Sequence, residues 1–441
     1  MATLGAAALA LVGLVAGCRG AEPLAANVVL ISIDTLRPDH LGCYGYERET
    51  SPHLDALCRR AVVFEQAISH APSTLMSHAS LLTSLTPPRH GASFARRRAL
   101  AEEVVTLAEV LRERGFRTAS FNEGGQLAGR WGLAQGFERY DSGGRGPDRF
   151  ENVVADAFDW LDAPEGPGGA PFFLFLHSYQ VHHPYTPDPA DLARFAPPGY
   201  DGWLGDAVEI RELRWINHGG VEATPADRAL IAAAYDAEIL DADRALGHLL
   251  AGLRERRLLD RTLVVFTSDH GEEMGEHGTL GWHTHTLYDE LLRVPLVVAL
   301  PAGRRAGERV ARQVRLIDVA PTVLAAVGIE PPQAWQGTSL LEILRGERVP
   351  PLLALSQRDT GEERPVVAAL RTGRWKWYDG RLHDLLADPA ELHDYSHLEP
   401  DLSRALEASI EELLRAGPLA SGEAVELDRE TAERLKALGY L

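Results

Sequence analysis

Residues 27–33, NVVLISI, form a largely apolar and β-branched run of strand length, and the run is followed by Asp34. A strand without polar alternation is covered on both faces, which is the pattern of a parallel sheet rather than of a half-exposed hairpin. Apolar runs recur at Ala61–Phe64, Pro171–Leu176, Leu263–Phe266 and Val294–Leu300, and Phe116–Phe121 reads as a further strand. Helical signals lie between them. Ser51-Pro52 opens a short helix with Pro at its first position, Val104–Arg114 is amphipathic and stops at Gly115, and Thr224-Pro225 opens a long helix reaching to about Leu253. The alternation predicts an α/β protein with a doubly wound, mostly parallel sheet.

The texture changes beyond residue 345. Val366–Leu370, Trp375–Tyr378 and Leu382–Leu385, separated by turns at Thr372-Gly373 and Asp379-Gly380, read as a short antiparallel meander. Asp401–Ala416 then reads as a helix closed by Gly417-Pro418. The chain therefore divides into a signal segment at 1–18, a linker at 19–26, an α/β domain at 27–345, a small C-terminal α+β subdomain at 346–420 and a tail helix at 421–441.

The balance of 44 Lys and Arg against 63 Asp and Glu gives a formal charge of −19, which argues against nucleic acid as a partner. An anionic substrate would need positive charge concentrated locally, by a metal, His or helix ends. The apolar start, ATLGAAALALVGLVAG, is too short to span a bilayer and suits the core of an export signal. It ends in Val15-Ala16-Gly17-Cys18, the pattern of a bacterial lipobox, so the expectation is an exported lipoprotein held to a membrane by lipid on Cys18. Cys43 and Cys58 remain, too few for a disulfide framework, and read as buried thiols.

Ligands in open α/β sheets gather past the C-terminal ends of the strands. Asp34 and the pair Asp269-His270 stand at two such ends. Carboxylates converging with an imidazole call for a cation, and oxygen donors with one His suit Ca²⁺, Mg²⁺, Mn²⁺ or Zn²⁺. Two His-rich loops follow other strands: HSYQVHHPYTP with His177, His182 and His183, and GEHGTLGWHTH with His277, His283 and His285. Ala71–Ser84, APSTLMSHASLLTS, places hydroxyl side chains at the mouth of a helix, where free N–H groups favour an oxyanion; ordinary capping explains the same residues.

NVVLISIDTLRPDHLGCYG, APSTLMSHASLLTSLTPPRHG, FLHSYQVHHPYTP, TSDHGEEMGEHG with HTLYDELLRVPLVV, RLIDVAPTVLAAVGI and LHDLLADPAELHDY together resemble the sulfatases, in the order that family has them. The resemblance implies an alkaline-phosphatase-like fold with a small four-stranded C-terminal subdomain. It also implies hydrolysis of an ester on tetrahedral sulfur or phosphorus, with one divalent metal, Ca²⁺ in that family and Mn²⁺ or Zn²⁺ also compatible. Sulfatases oxidise a Cys or Ser in a Cys/Ser-x-Pro-x-Arg pattern to formylglycine. Setting Leu81-Leu82-Thr83 on that pattern puts Thr74 at the nucleophile, with Met76 and His78 at the Pro and Arg. Thr carries a methyl on Cβ and cannot give the aldehyde, so no formylglycine is expected at Thr74.

Thr35 replaces the second Asp of the family's Asp-Asp pair, His270 stands where Asn is frequent, and His285 falls near the active-site Lys. The expectation is a metal-bound Thr74 nucleophile on Asp34, Asp269 and His270, forming a covalent ester. His78 and the backbone at the helix start would stabilise the oxyanion. His182 and His285 would bind oxygens or protonate the leaving group, and Asn122 would help bind substrate. The substrate is a small-molecule, glycan or lipid sulfate or phosphate ester. A phospho-headgroup transferase and a non-catalytic surface binding protein on the same scaffold are the alternatives.

Overall fold

The computed structural model describes residues 23–441 apart from 144, 147, 362 and 363. The expected signal segment, Cys18 and the first part of the linker lie outside the described residues. Strand β1 (Asn27–Ile33) runs through the middle of the main sheet with every residue buried. Its neighbours β5 (Phe172–Ser178) and β6 (Thr262–Thr267) pair with it in parallel, Ser32 lying opposite both His177 and Thr267. That register brings Asp34 and Asp269, each two residues further on, to the same edge of the sheet.

The remaining strands of this sheet are β2 (Val62–Ile68), β3 (Arg117–Phe121), β4 (Arg139–Asp141), β9 (Arg293–Ala299), β10 (Arg309–Val310) and β11 (Val314–Arg315). The order is β10-β2-β9-β6-β1-β5-β3-β4, with β11 also on β2. Strand β9 runs antiparallel to both β2 and β6, and the other pairings are parallel. A separate hairpin, β7 (Glu273–Met274) with β8 (Leu280–Trp282), leaves the end of β6.

The all-apolar strands read in the sequence are explained by two cores. Val28 and Leu30 pack in one with Leu75, Ala79 and Leu82 of the helix Thr74–Thr83. Val29, Ile31 and Ile33 pack in the other with Leu230, Ile231 and Ala234 of the helix Pro225–Glu255. Alternate side chains of one strand thus reach opposite layers, which is the expected doubly wound arrangement.

The C-terminal subdomain is a four-stranded antiparallel sheet, β12 (Ala354–Gln357), β13 (Ala368–Arg371), β14 (Trp375–Tyr378) and β15 (Arg381–Asp384). The helix Pro400–Arg415 covers it, burying Leu406 and Ile410 against Leu355, Leu370 and Leu382. Strand β12 escaped the sequence pattern because it is four residues long and follows a Pro-rich stretch. The expected tail helix over 421–441 is shorter than read: it spans Arg429–Ala437, starting where the Asp428 carboxylate accepts the Thr431 N–H at 2.8 Å. Ahead of it the chain runs extended beside residues 97–99, with Val425 N–H on the Arg97 carbonyl at 2.8 Å.

A buried ion cluster ties the two sheets together. Lys376 of β14, with no exposed surface, sits 3.0 Å from Asp289 Oδ1 and 2.9 Å from Glu391 Oε1, while Arg371 Nη2 lies 2.9 Å from Asp289 Oδ2. Removing one member of a buried set leaves its partners charged and unpaired. Lys376→Ala should therefore lower stability by about 3–5 kcal/mol in urea unfolding; a loss under about 1 kcal/mol would contradict this role.

Candidate active site

Helix Thr74–Thr83 begins at the C-terminal edge of the main sheet because β2 ends at Ile68 and Ser73, in an extended conformation, turns the chain into it. Thr74 faces the strand ends: its hydroxyl donates to Asp34 Oδ2 at 3.2 Å. Ser73, the other hydroxyl at this mouth, points elsewhere and donates to Gln126 Oε1 at 3.2 Å. The same Gln126 oxygen accepts the Leu75 N–H at 3.1 Å, so this helix-start donor is already engaged. The pairing of Gln126 with Ser73 leaves Thr74 as the hydroxyl presented to Asp34.

Asp34, Asp269 and His270 are fully buried and lie within ligand-sharing distance of one another. Nε2 of His270 is 3.8 Å from Asp34 Oδ1 and 3.5 Å from Asp269 Oδ2. The other ring nitrogen meets the Gly271 carbonyl at 2.9 Å; a carbonyl only accepts, so Nδ1 carries the proton and Nε2 turns a lone pair toward the two carboxylates. Burial raises the Asp34 carboxyl well above its ordinary range, and the charge of Asp269 adds to the rise. The backbone just past Asp34 is strained, with Thr35 at φ 55° and its N–H on Asp269 Oδ1 at 3.4 Å.

Asp34 Oδ1, Asp269 Oδ2 and His270 Nε2 have no hydrogen-bond partner among the described residues although each is buried. Three lone-pair groups facing one another without a proton between them are what a cation would satisfy. The donor set, two carboxylates, one imidazole fixed through its second nitrogen and the Thr74 hydroxyl, fits a single divalent ion. These four residues would hold it.

His78 lies one turn below Thr74 and does not face the open side. Its Nδ1 donates to the Thr74 carbonyl at 2.8 Å and its Nε2 meets Ser32 Oγ at 3.0 Å, so both ring nitrogens are spent on positioning Thr74. His177, at the end of β5, stands 3.3 Å from Asp34 Oδ2, and burial beside His78 drops its pKa well below the usual value.

Opposite Thr74 a second group of imidazoles closes the site. His182 Nδ1 bonds the His183 carbonyl, and His283 Nδ1 bonds Glu272 Oε1 at 3.1 Å. Both rings therefore aim Nε2 inward. Burial keeps both neutral, His283 being lowered to about 4. Burial alone would raise Glu272, yet the imidazoles of His183, 3.5 Å away, and of His283, hydrogen-bonded at 3.1 Å, hold it well below the usual carboxylate range. Between these Nε2 atoms and Thr74 sits the hydroxyl of Tyr440, 3.1 Å from Thr74 Oγ1, 3.1 Å from His182 Nε2 and 3.3 Å from His283 Nε2.

Two expected site residues are not brought here. His285 is exposed and stands beside Trp282 with ring centroids 6.3 Å apart; Thr284, at φ 81°, turns the backbone so that His283 takes the inward place. Asn122 closes a turn at the end of β3, its Oδ1 accepting the Gly124 N–H at 3.0 Å and its Nδ2 donating to Ser120 Oγ at 3.2 Å. Gln126, Glu272 and Tyr440 were not singled out by sequence, since no spacing links them to Thr74.

The family model for sulfatases matches residues 26–329 of this chain. The chain belongs to the sulfatase family. Arylsulfatase K of Canis lupus familiaris is 25% identical over 459 residues, covering 90% of this chain and 84% of that protein. Iduronate 2-sulfatase of Homo sapiens is 27% identical over 429 residues, covering 83% and 76%. Among solved structures, a 2-O GAG sulfatase superposes with a TM-score of 0.71 at 20% identity over 93% of this chain and 96% of its own. Phosphonate monoester hydrolase of Agrobacterium radiobacter gives 0.67 at 20% identity over 90% and 96%. The fold is therefore the sulfatase fold, with its mostly parallel central sheet and separate antiparallel sheet.

The unpartnered atoms give a direct expectation. Elemental analysis of the purified chain should find about one divalent ion, and Asp34→Asn or Asp269→Asn should remove most of it and the melting-temperature rise on adding Mn²⁺, Zn²⁺ or Ca²⁺. Unchanged metal content in both variants would contradict the assignment.

Proposed function

We propose that this protein hydrolyses sulfate or phosphate esters with Thr74 as a direct nucleophile. The observation that carries the reading is the Thr74 hydroxyl, 3.2 Å from Asp34 Oδ2 and beside the unpartnered lone pairs of Asp34, Asp269 and His270. A divalent cation held there would lower the pKa of the hydroxyl and neutralise negative charge in the transition state. Asp34 Oδ2 receives the hydrogen bond from Thr74 and is the first acceptor for its proton. Thr74 Oγ1 then forms a bond to sulfur or phosphorus as the bond to the ester oxygen breaks; that oxygen leaves as the alcohol or phenol with a proton taken from water, and a covalent ester remains on Thr74 while Asp34 keeps the proton it received.

His182 and His283 face the departing side with Nε2 lone pairs, the geometry of hydrogen-bond acceptors for the released hydroxyl. In the second half, water attacks the Thr74 ester, its proton passing to one of these neutral imidazoles and on to solvent, and the bond from Thr74 Oγ1 to sulfur or phosphorus breaks as Oγ1 takes back the proton held by Asp34. Glu272, bonded to His283 Nδ1, would stabilise the imidazolium so formed. His78 holds Thr74 in place through its carbonyl.

The residue type supports a direct nucleophile: the methyl on Cβ of Thr74 bars the aldehyde that formylglycine chemistry needs. The sulfatase relatives, and the structural neighbour named for phosphonate monoesters, support both acid classes as substrates. Glycan, lipid or small-molecule esters fit that range, and the sequence before residue 23 supports an exported protein anchored through Cys18.

Aryl sulfate, aryl phosphate and aryl phosphodiester offered to the metal-loaded protein should include at least one that turns over. Thr74→Ala should lower kcat/KM by roughly a thousandfold or more, and intact mass after acid quench should place a sulfuryl or phosphoryl group on Thr74. A Thr74→Ala variant within about threefold of the parent would exclude the direct nucleophile and favour the binding-protein alternative.

A further inference from the structure

Tyr440 reaches Thr74 from 366 positions away along the chain, and the way it is held is specific. Arg434, on the helix Arg429–Ala437, donates to the Glu123 carbonyl at 2.9 Å and pairs with Asp148, while Arg130 pairs with Asp428 and donates to the Glu426 carbonyl at 2.9 Å. Leu435 and Leu438 are buried. A Cβ at Gly125 would lie 2.9 Å from Leu438 Cδ1, so the seat for Leu438 exists because residue 125 has no side chain. The chain then turns inward at Gly439, φ 82°, where a Cβ would come within 3.0 Å of His183 Nε2. Arg214 Nη2 holds the Gly439 carbonyl at 3.1 Å.

The phenol ends in an aromatic-lined slot, its ring centroid 5.6 Å from that of Phe94, 5.5 Å from His182 and 5.7 Å from His283. An ester attacked by Thr74 must put its central atom within bonding reach of Oγ1 and its departing oxygen beyond, toward the two imidazoles. The Tyr440 hydroxyl stands in that space, within hydrogen-bond distance of all three groups. Substrate and Tyr440 therefore exclude each other. Release of the phenol by rotation at Gly439 gives up the Tyr440 N–H bond to the Leu435 carbonyl at 2.9 Å and the Arg214 contact, while the body of the helix and Leu438 stay fastened by their own contacts.

We propose that Tyr440 is a tethered occupant of the subsite for the departing oxygen: the chain closes its own site with a phenol, placed as the released phenol of an aryl ester would be, and opens it at Gly439. The proposal rests on the ester-hydrolase reading above. Tethering keeps the phenol at high effective concentration, and the apparent affinity for any ester falls with the fraction of molecules that are open.

The test uses the full chain loaded with metal, phenyl sulfate and phenyl phosphate as substrates, and orthovanadate as a probe of the Thr74 subsite that needs no turnover. Tyr440→Ala should lower KM by about tenfold or more with kcat within about threefold, and should bind orthovanadate tighter by a similar factor in calorimetry. Tyr440→Phe, which keeps the ring but loses the three polar contacts, and Arg434→Ala, which loosens the helix, should fall between. In the parent chain orthovanadate should speed amide exchange at residues 439–441 while leaving 429–435 protected.

Loss of kcat by about tenfold in both Tyr440 variants at unchanged KM would overturn the closure and make Tyr440 a catalytic residue. Equal orthovanadate affinity in parent and Tyr440→Ala would overturn it as well, with turnover in the parent leaving the hydrolase reading intact. Absence of both turnover and orthovanadate binding in every form would remove the hydrolase reading and the closure together.

Discussion

Asp34 and Asp269 are carboxylates buried together at the ends of adjacent strands, and their mutual repulsion is the constraint that orders everything around them. Two such groups buried from solvent side by side cannot both stay charged unless a cation stands between them. His270 makes the demand sharper, since its proton is committed to the Gly271 carbonyl and its lone pair faces the same point. The doubly wound fold serves this arrangement. The parallel register of β1 and β6 sets the two Asp residues side by side, and the helix after β2 delivers Thr74 to them.

The parts of the site read from sequence share one property: each sits at an end of a strand or helix that its apolar residues located. Asp34, Asp269 and His270 follow β1 and β6, and Thr74 opens a helix with an apolar face. What was unreadable depends on contacts between distant segments. Only the fold shows that Gln126 takes Ser73 away and leaves Thr74 on the side of Asp34. The exchange of His285 for His283 turns on the positive φ of Thr284, a non-glycine residue that carries no sequence signal for that conformation. Asn122 looked like a binding group and is instead a turn former, a use of Asn that its type allows equally well.

The segment after the small subdomain is the clearest case of what pattern cannot supply. Its amphipathic spacing marks a helix, but nothing in it says that the helix returns to residues 123–130 and carries a phenol to Thr74, 366 positions away. The glycines at 125 and 439 become meaningful only when the approaching atoms, Leu438 and His183, are known. The site is thus assembled from one end of the sheet and capped by the last segment of the described chain.

The measurement that bears most directly on this account is an anomalous-scattering map from crystals of the chain soaked in Mn²⁺ or Zn²⁺. The account predicts a peak about 2.0–2.6 Å from Asp34 Oδ1, Asp269 Oδ2, His270 Nε2 and the Thr74 hydroxyl. A fully occupied peak held instead by His182, His183 and His283, with Asp34 and Asp269 left empty, would contradict it.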